Sequence, residues 1–394
     1  NAGHTVVTPE GKYVLNLIPS GILHPEAVCV LGGGMVVDLD HLRHEMSMLQ
    51  YMKVKIDSDN LRISDKATIC MPFHVRQDVL EEERLLEKGA AFGSTRRGIA
   101  YAYGDKYMKK TLRMGDLLNL NSIAIKRRLQ VILESKNLIM ENVYGQNPLS
   151  FDELYNWCES QAEYFRNYIC DTGKLLNNAA EAGKNILFEA QLGALRDIDY
   201  GIYPYTSSSN TIAAYAPIGA GIPQRTPDRV VGVMKAYSTC VGEGPFAAED
   251  AMPEEWNNKL RNAGGEFGAA TGRPRRVGPF DAVASRYGIE CQGADDIALT
   301  KLDVLSEFDT IPVVTAYELD GHTIDTFPAD SSLERVKPVV EEYPGWHCDI
   351  SGCKSWEELP KEAREYVLAI EKLVNHRIYL VSTGAERSEY ITIS

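Results

Sequence analysis

Between Phe151 and Glu189 the sequence sets out a repeating constraint on its own fold. Phe151 to Ala182 carries helical spacing in two parts, the second opening at Asp171-Thr172, and Gly183 stops it just before the apolar run Asn185–Glu189. A helix that feeds directly into a short apolar run describes a strand buried on both faces and covered by helices. Arg229–Tyr237 and Ile297–Val304 read as further buried strands, while Ile311–Leu319 alternates as an edge strand does. Near the end, Ala363, Val367, Ile370 and Val374 mark one face of a helix, followed by a strand Ile378–Val381 and the turn Ser382-Thr-Gly384. The expected fold is α/β, a large, mostly parallel central sheet flanked by helices.

The first third agrees. Lys12–Ile22 and Ala27–Leu31 read as strands entering loops, the second ending in the triple glycine Gly32–Gly34. Helical spacing covers Asp40–Met52, with Asp38 or Asp40 as cap, and residues 74–88 and 115–140. The chain reads as a single domain, 1–394, with 90–180 as a helical insertion and no internal repeat. A net charge of -14 argues against nonspecific binding to nucleic acid or anionic membranes, and no apolar run approaches the length of a bilayer span. Eight scattered cysteines read as reduced thiols of a cytoplasmic protein. His347-Cys348 with Cys353 lacks the second pair of ligands that a structural zinc requires. The chain opens without an initiator methionine or a signal-peptide pattern.

Several polar, glycine-containing turns follow strand ends, where α/β sheets place their ligands. The richest is Phe188–Asn210, in which Gly193 and Gly201 let the backbone approach a ligand and Thr206–Asn210 offers hydroxyls and an amide. In Asn1-Ala-Gly-His-Thr5, His4 can donate to a phosphate oxygen, although a lone surface histidine fits the same residues. Gly93-Ser-Thr-Arg-Arg-Gly-Ile99, followed by Lys106, Lys109, Lys110 and Arg113, suits phosphate recognition; taken alone it fits a solvated charged loop equally well. Gly265-Glu-Phe-Gly-Ala-Ala-Thr-Gly-Arg-Pro-Arg-Arg276 sets three arginines on a glycine-rich loop, mobile until anions fill it. Thr300-Lys-Leu-Asp303 is similar to the guanine-reading motif of GTP-binding proteins, and a chance surface Lys and Asp is the alternative. A complete Gly-x-x-x-x-Gly-Lys-Ser/Thr loop is absent.

Taken in order, these segments together with Ile18-Pro-Ser-Gly-Ile22, Lys235-Ala-Tyr-Ser-Thr239 and Gly242-Glu-Gly-Pro-Phe246 resemble the adenylosuccinate synthetase family over essentially the whole chain. The resemblance implies a P-loop-NTPase-like fold with helical insertions, and a cytoplasmic, magnesium-dependent homodimer. The implied reaction joins IMP and L-aspartate at the expense of GTP, through 6-phosphoryl-IMP, in AMP biosynthesis. Carried over by position, His4 is the implied catalytic acid and the Gly3 carbonyl the implied magnesium ligand. IMP contacts fall on Asn1, Ala2, Gly3, His4, Thr95, Lys109, Gln191, Leu192, Ser207 and Arg273. The aspartate site falls on Ala269, Ala270, Thr271, Gly272, Arg273, Pro274 and Arg275. GTP contacts fall on Gly3, His4, Thr5, Arg275, Lys301, Leu302, Asp303, Ser382, Thr383 and Gly384. Lys109 holds the place of an arginine that reaches the IMP phosphate of the neighbouring subunit, so residues 90–180 carry phosphate and dimer contacts.

The chain also departs from the family pattern. Ser207 stands for a threonine, and Lys109 and Pro274 stand for arginines. Leu192 stands where a glutamine contacts the purine, and Gln191 replaces it only if the loop shifts by one residue. The family's base lies in a Gly-Asp-Glu-Gly-Lys-Gly-Lys loop upstream of the Asn-Ala-Gly-His motif. Its absence sets the expectation that a strand, loop and helix of roughly 30 to 40 residues is missing, and that the chain alone is inactive. Two alternatives follow: a related ligase acting on another purine nucleotide such as dGMP, or a noncatalytic nucleotide-binding homologue.

Overall fold

The computed structural model of the chain describes residues 3–90, 93–268, 272 and 274–393. Among them the α/β expectation holds, with eleven α-helices interleaved with short strands, several paired in parallel. Two parallel sheets set the layout. In the N-terminal half Cys29–Leu31, Leu61–Ser64 and Ile169–Cys170 lie side by side. In the C-terminal half Val231–Lys235, Asp296–Thr300 and Ile378–Ser382 do the same, and Tyr390–Thr392 closes one edge antiparallel.

Three strand expectations change. Thr310–Leu319 is central to its sheet, parallel to Phe280–Asp281 and antiparallel to His322–Ile324 and Lys337–Pro344. Its four consecutive buried residues, Ile311 to Val314, are those of a strand covered on both faces. Val231–Lys235, expected to be buried, is an edge, with Val233 71% exposed. Asn185–Glu189 forms no strand, and Leu187 is 90% exposed. An apolar run becomes a strand only where a neighbour takes up its backbone donors and acceptors, and no described residue does so here.

The helices follow their local signals more closely. Asp38, Asp171 and Asp281 each accept a hydrogen bond from the third residue onward, at 3.1, 3.1 and 2.9 Å, capping Leu39–Tyr51, Thr172–Glu181 and Ala282–Gln292. Each cap contributes about 1 kcal/mol. The helix Lys361–Val374 buries Ala363, Tyr366, Val367, Ile370 and Val374 along one stripe. Each large side chain among them is worth about 1.5–3 kcal/mol in transfer from water. The run expected at 115–140 is two helices, Met114–Leu117 and Ile123–Asn142.

Two main apolar cores support these sheets. One gathers residues between Tyr13 and Ile169, the other residues between Ala236 and Ile391. Between the helices Pro72–Glu87, Ile99–Met108 and Ile123–Asn142 runs a buried ionic network. Asp105 accepts from His74 Nε2 at 2.8 Å and from Lys136 Nζ at 2.7 Å, while His74 Nδ1 accepts from the Met71 amide at 2.9 Å. Burial pushes the His74 imidazole below its ordinary value, so the ring is neutral and donates to Asp105.

Candidate active site

The parallel strands of the C-terminal half deliver their carboxyl ends to one side, where open sheets hold ligands. Lys235 ends the first, Lys301 follows the second, and Thr383 and Gly384 follow the third. Lys301 takes a left-handed conformation, φ 60°, and starts the turn Leu302–Leu305 that carries Asp303. Burial raises the Asp303 carboxyl above its ordinary value, and its Oδ1 is buried without a hydrogen-bond partner. Thr383 Oγ1 is likewise buried and unpartnered, whereas Ser382 donates to the Gly384 carbonyl at 2.8 Å. Leu302 is wholly buried and faces the core rather than a ligand.

Beside this edge, Glu266 gathers the cations. Its side chain is buried and takes Lys235 Nζ at 2.8 Å, Tyr237 Oη at 2.6 Å, Arg275 Nη1 at 2.8 Å and Lys301 Nζ at 3.4 Å. Burial would raise this carboxyl, but the donors Lys235 and Tyr237 and the charges of Lys235 and Lys301 outweigh it and hold it down at about 2. Sequence reasoning missed Glu266. Its signal was present, a lone carboxylate in a glycine-rich loop with three arginines. The loop folds back on itself, with Phe267 bridging Pro274 and the Arg275 amide donating to the Glu266 carbonyl at 2.9 Å. Gly272 takes φ 65°. Arg276 departs from the anion-binding expectation, because Glu249 and the Gly244 carbonyl, each at 2.7 Å, occupy its guanidinium. Ala269, Ala270, Thr271 and Arg273 lie outside the described residues.

His4 opens the strand His4–Thr8, and the segment after Phe188 folds onto it. The Gln191 amide lies 2.6 Å from His4 Nδ1. With that amide donating, the ring proton sits on Nε2, which lies 3.3 Å from Glu189 Oε1 without a hydrogen bond. The other Glu189 oxygen accepts from the Ser20 amide and hydroxyl at 3.0 and 2.8 Å. Thus Gln191, not Leu192, meets the histidine. Leu192 is 46% exposed with φ 75°, a left-handed conformation that costs a bulky residue about 1–2 kcal/mol. Gly193 is open to solvent, but Gly201 is not open to a ligand: a Cβ there would meet the Asp197 and Leu195 carbonyls at 2.4 and 2.6 Å. Gly3 and Thr5 are exposed beside His4, and Asn1 and Ala2 lie outside the described residues.

Two further segments carry implied contacts. Buried Asp78 and Glu82 hold the loop at 93, taking the Gly98 and Gly93 amides at 2.8 Å each and leaving Thr95 exposed. Ser207 shares a 2.7 Å hydrogen bond with Ser209. Lys109 lies apart from these, exposed at the end of the helix Ile99–Met108. It lines a groove of about 710 Å³ with Lys110, Ile123, Arg127, Arg128 and Val131.

The family described as adenylosuccinate synthetase matches residues 1–391. The enzyme of that name from Pelobacter propionicus is 44% identical over 394 residues, covering all of this chain and 90% of its own. The Geobacter sulfurreducens one is 43% identical over 395 residues, with the same coverage.

The chain belongs to the adenylosuccinate synthetase family.

A solved structure of the fully ligated enzyme from Plasmodium falciparum superposes with a TM-score of 0.90 at 32% identity, over all of this chain and 91% of that one. The cyanophage S-2L succinoaminodeoxyadenylate synthetase, solved with dGMP and dATP, has a TM-score of 0.56 at 18% identity and shares the fold alone. The reaction is therefore the GTP-dependent ligation of IMP to L-aspartate in purine biosynthesis, and neither the dGMP alternative nor the noncatalytic one is favoured.

Proposed function

We propose that three groups of residues divide the work of this ligation: a guanine end, a phosphate-transfer centre and an IMP end. At the guanine end, Asp303 Oδ1 accepts from the base, the Lys301 stem packs over it, and Ser382, Thr383 and Gly384 close the pocket. At the centre, a base takes the purine N1 proton, the 6-oxygen takes the γ-phosphoryl group as its bond to GDP breaks, and His4 donates from Nε2 to the departing GDP. Aspartate's amine then displaces phosphate from 6-phosphoryl-IMP. Arg275 lies between the aspartate loop and the phosphates, held in place by Glu266, and acts chiefly by positioning charge. At the IMP end, Thr95 and Ser207 hold the phosphate and ribose, Gln191 takes over from Leu192 beside the base, and Lys109 reaches the phosphate of a second subunit.

Magnesium fits the available donors. The described residues hold no cluster of three or more His, Cys, Asp or Glu side chains. Exposed Gly3 offers a hard carbonyl oxygen, and a cation of this kind completes its shell from nucleotide phosphates and water. When bound, it would neutralise phosphate charge. The assembly is read as a cytoplasmic homodimer acting on small molecules, without nucleic acid or membrane partners. Among the described residues no helix is long and apolar enough to cross a membrane.

The observation that supports this reading is the position of the orphaned polar atoms. Asp303 Oδ1 and Thr383 Oγ1 are buried and unpartnered, His4 Nε2 is buried without a hydrogen bond at 3.3 Å from Glu189 Oε1, and each belongs to a residue that the reading sets against GTP. Steady-state kinetics with IMP, L-aspartate and GTP test it. His4→Asn should lower kcat by roughly 10²–10⁴-fold with smaller changes in KM, as for loss of a general acid. An unchanged kcat would remove His4 from the chemistry.

A further inference from the structure

The sheet of the N-terminal half has its own carboxyl-end crevice, and none of the roles above uses it. Cys29–Leu31 runs into Gly33 and Gly34, Leu61–Ser64 into Lys66, and Ile169–Cys170 into Thr172. These turns enclose a cavity of about 220 Å³, lined also by Lys106, Arg113 and Tyr215. Close backbone packing frames it: a Cβ on Gly173 would meet the Gly221 carbonyl at 2.6 Å, and one on Gly34 the Gly219 Cα at 2.7 Å.

Its polar groups are short of partners. Thr172, 1% exposed at the first position of the helix Thr172–Glu181, has an Oγ1 with no hydrogen bond. Lys106 Nζ donates to the Gly34 carbonyl at 3.0 Å, and no described carboxylate pairs with it or with the Arg113 guanidinium. The carboxylates at the rim, Asp65 and Asp171, lie 3.3 and 3.6 Å from Lys66 instead. Burial, with Arg113 nearby, holds the Lys106 ammonium below its ordinary value; of the three cations lining the cavity only Lys66 has carboxylates beside it, which leaves the pair Lys106 and Arg113 without a described counterion. In a chain of net charge -14, such a pair needs an anion from outside.

We infer that this cavity binds a phosphate-type oxyanion, held by Lys106, Arg113 and the Thr172 hydroxyl at the carboxyl ends of the N-terminal sheet. A tetrahedral dianion suits this set because it accepts at once from an ammonium, a guanidinium and a hydroxyl converging from different turns. A planar monocarboxylate satisfies only part of it. Tyr103, whose hydroxyl lies 3.4 Å from the Gly34 carbonyl, belongs to the same helix as Lys106 and borders the site. The inference goes beyond the reading of the catalytic cleft and does not depend on it.

Isothermal titration of the intact protein tests it in two stages. IMP and GDP are titrated first, which reports on the cleft. With both saturating, inorganic phosphate, glycerol phosphate and acetate are then titrated separately. Inorganic phosphate should bind one further site per chain, and glycerol phosphate shows whether a monoester is also admitted. Lys106→Met should weaken that binding by about tenfold or more, the loss expected for a charge-assisted hydrogen bond, and Thr172→Val by about threefold or more. Thermal melts confirm that both variants fold. Absence of a further phosphate site, acetate binding as tightly as phosphate, or affinity unmoved in either folded variant would each overturn the assignment.

Discussion

Asp303 concentrates its role in one oxygen. A carboxylate whose Oδ1 is buried without a partner carries a desolvation cost that a ligand's N–H groups can offset. Asp303→Asn replaces an acceptor with a donor, so it should raise KM for GTP by 10- to 100-fold, about 1–3 kcal/mol for a lost charged hydrogen bond. Xanthosine triphosphate, with an oxygen where guanine has its amine, should recover part of the activity in that variant. Competition between the two nucleotides in one assay measures this, and an unaltered GTP preference would show that Asp303 does not read the base. At this scale the sequence was legible in placing Lys301 and Asp303 in a turn at a strand end. It was not legible at Glu266, whose importance comes from four partners brought to it by different segments.

Among the elements, the helix Ala282–Gln292 shows how one residue can serve two purposes. Asp281 caps it through the Ala284 amide and accepts from Tyr317 Oη at 2.6 Å, tying helix to sheet. Burial pushes the Asp281 carboxyl up to about 6, against the amide and hydroxyl donors that lower it. An unfolded aspartate titrates near about 3.9, so the folded state binds the proton more tightly. The stability this group contributes is therefore fully present below about pH 4 and is lost as pH rises through about 6, an effect of about 3 kcal/mol. Asp281→Asn keeps an acceptor for the cap and cannot ionise, so it should flatten the stability profile between pH 4 and 7. Urea midpoints across that range provide the measurement, and parallel profiles for the two proteins would refute the linkage. The helix start at Asp171 and the stripe on Lys361–Val374 were readable because each is set by residues a few positions apart. Strand placement was not: Asn185–Glu189 has a strand's composition and no neighbour, while Thr310–Leu319 alternates and lies at a sheet's centre.

For the whole molecule, the groove beside Lys109 bears on assembly. Ile123 and Val131 are 86% and 58% exposed along it, among the cations Lys110, Arg127 and Arg128. A homodimer covering this face would bring each Lys109 to its partner's IMP phosphate. Sedimentation should then give twice the 43.8 kDa chain mass, and Val131→Glu should shift the protein to monomer while raising KM for IMP. A wild-type monomer with full IMP affinity would exclude this arrangement. By itself the sequence determined the α/β class, the helix start at Asp171 and the family, because helical period, capping residues and ordered motifs are all written along the chain. Tertiary structure alone decided that Gln191 rather than Leu192 meets His4, that Glu266 gathers four partners, and that Thr172, Lys106 and Arg113 share one cavity. Those meetings join residues far apart in the chain, and distance in space is what a one-dimensional pattern does not encode.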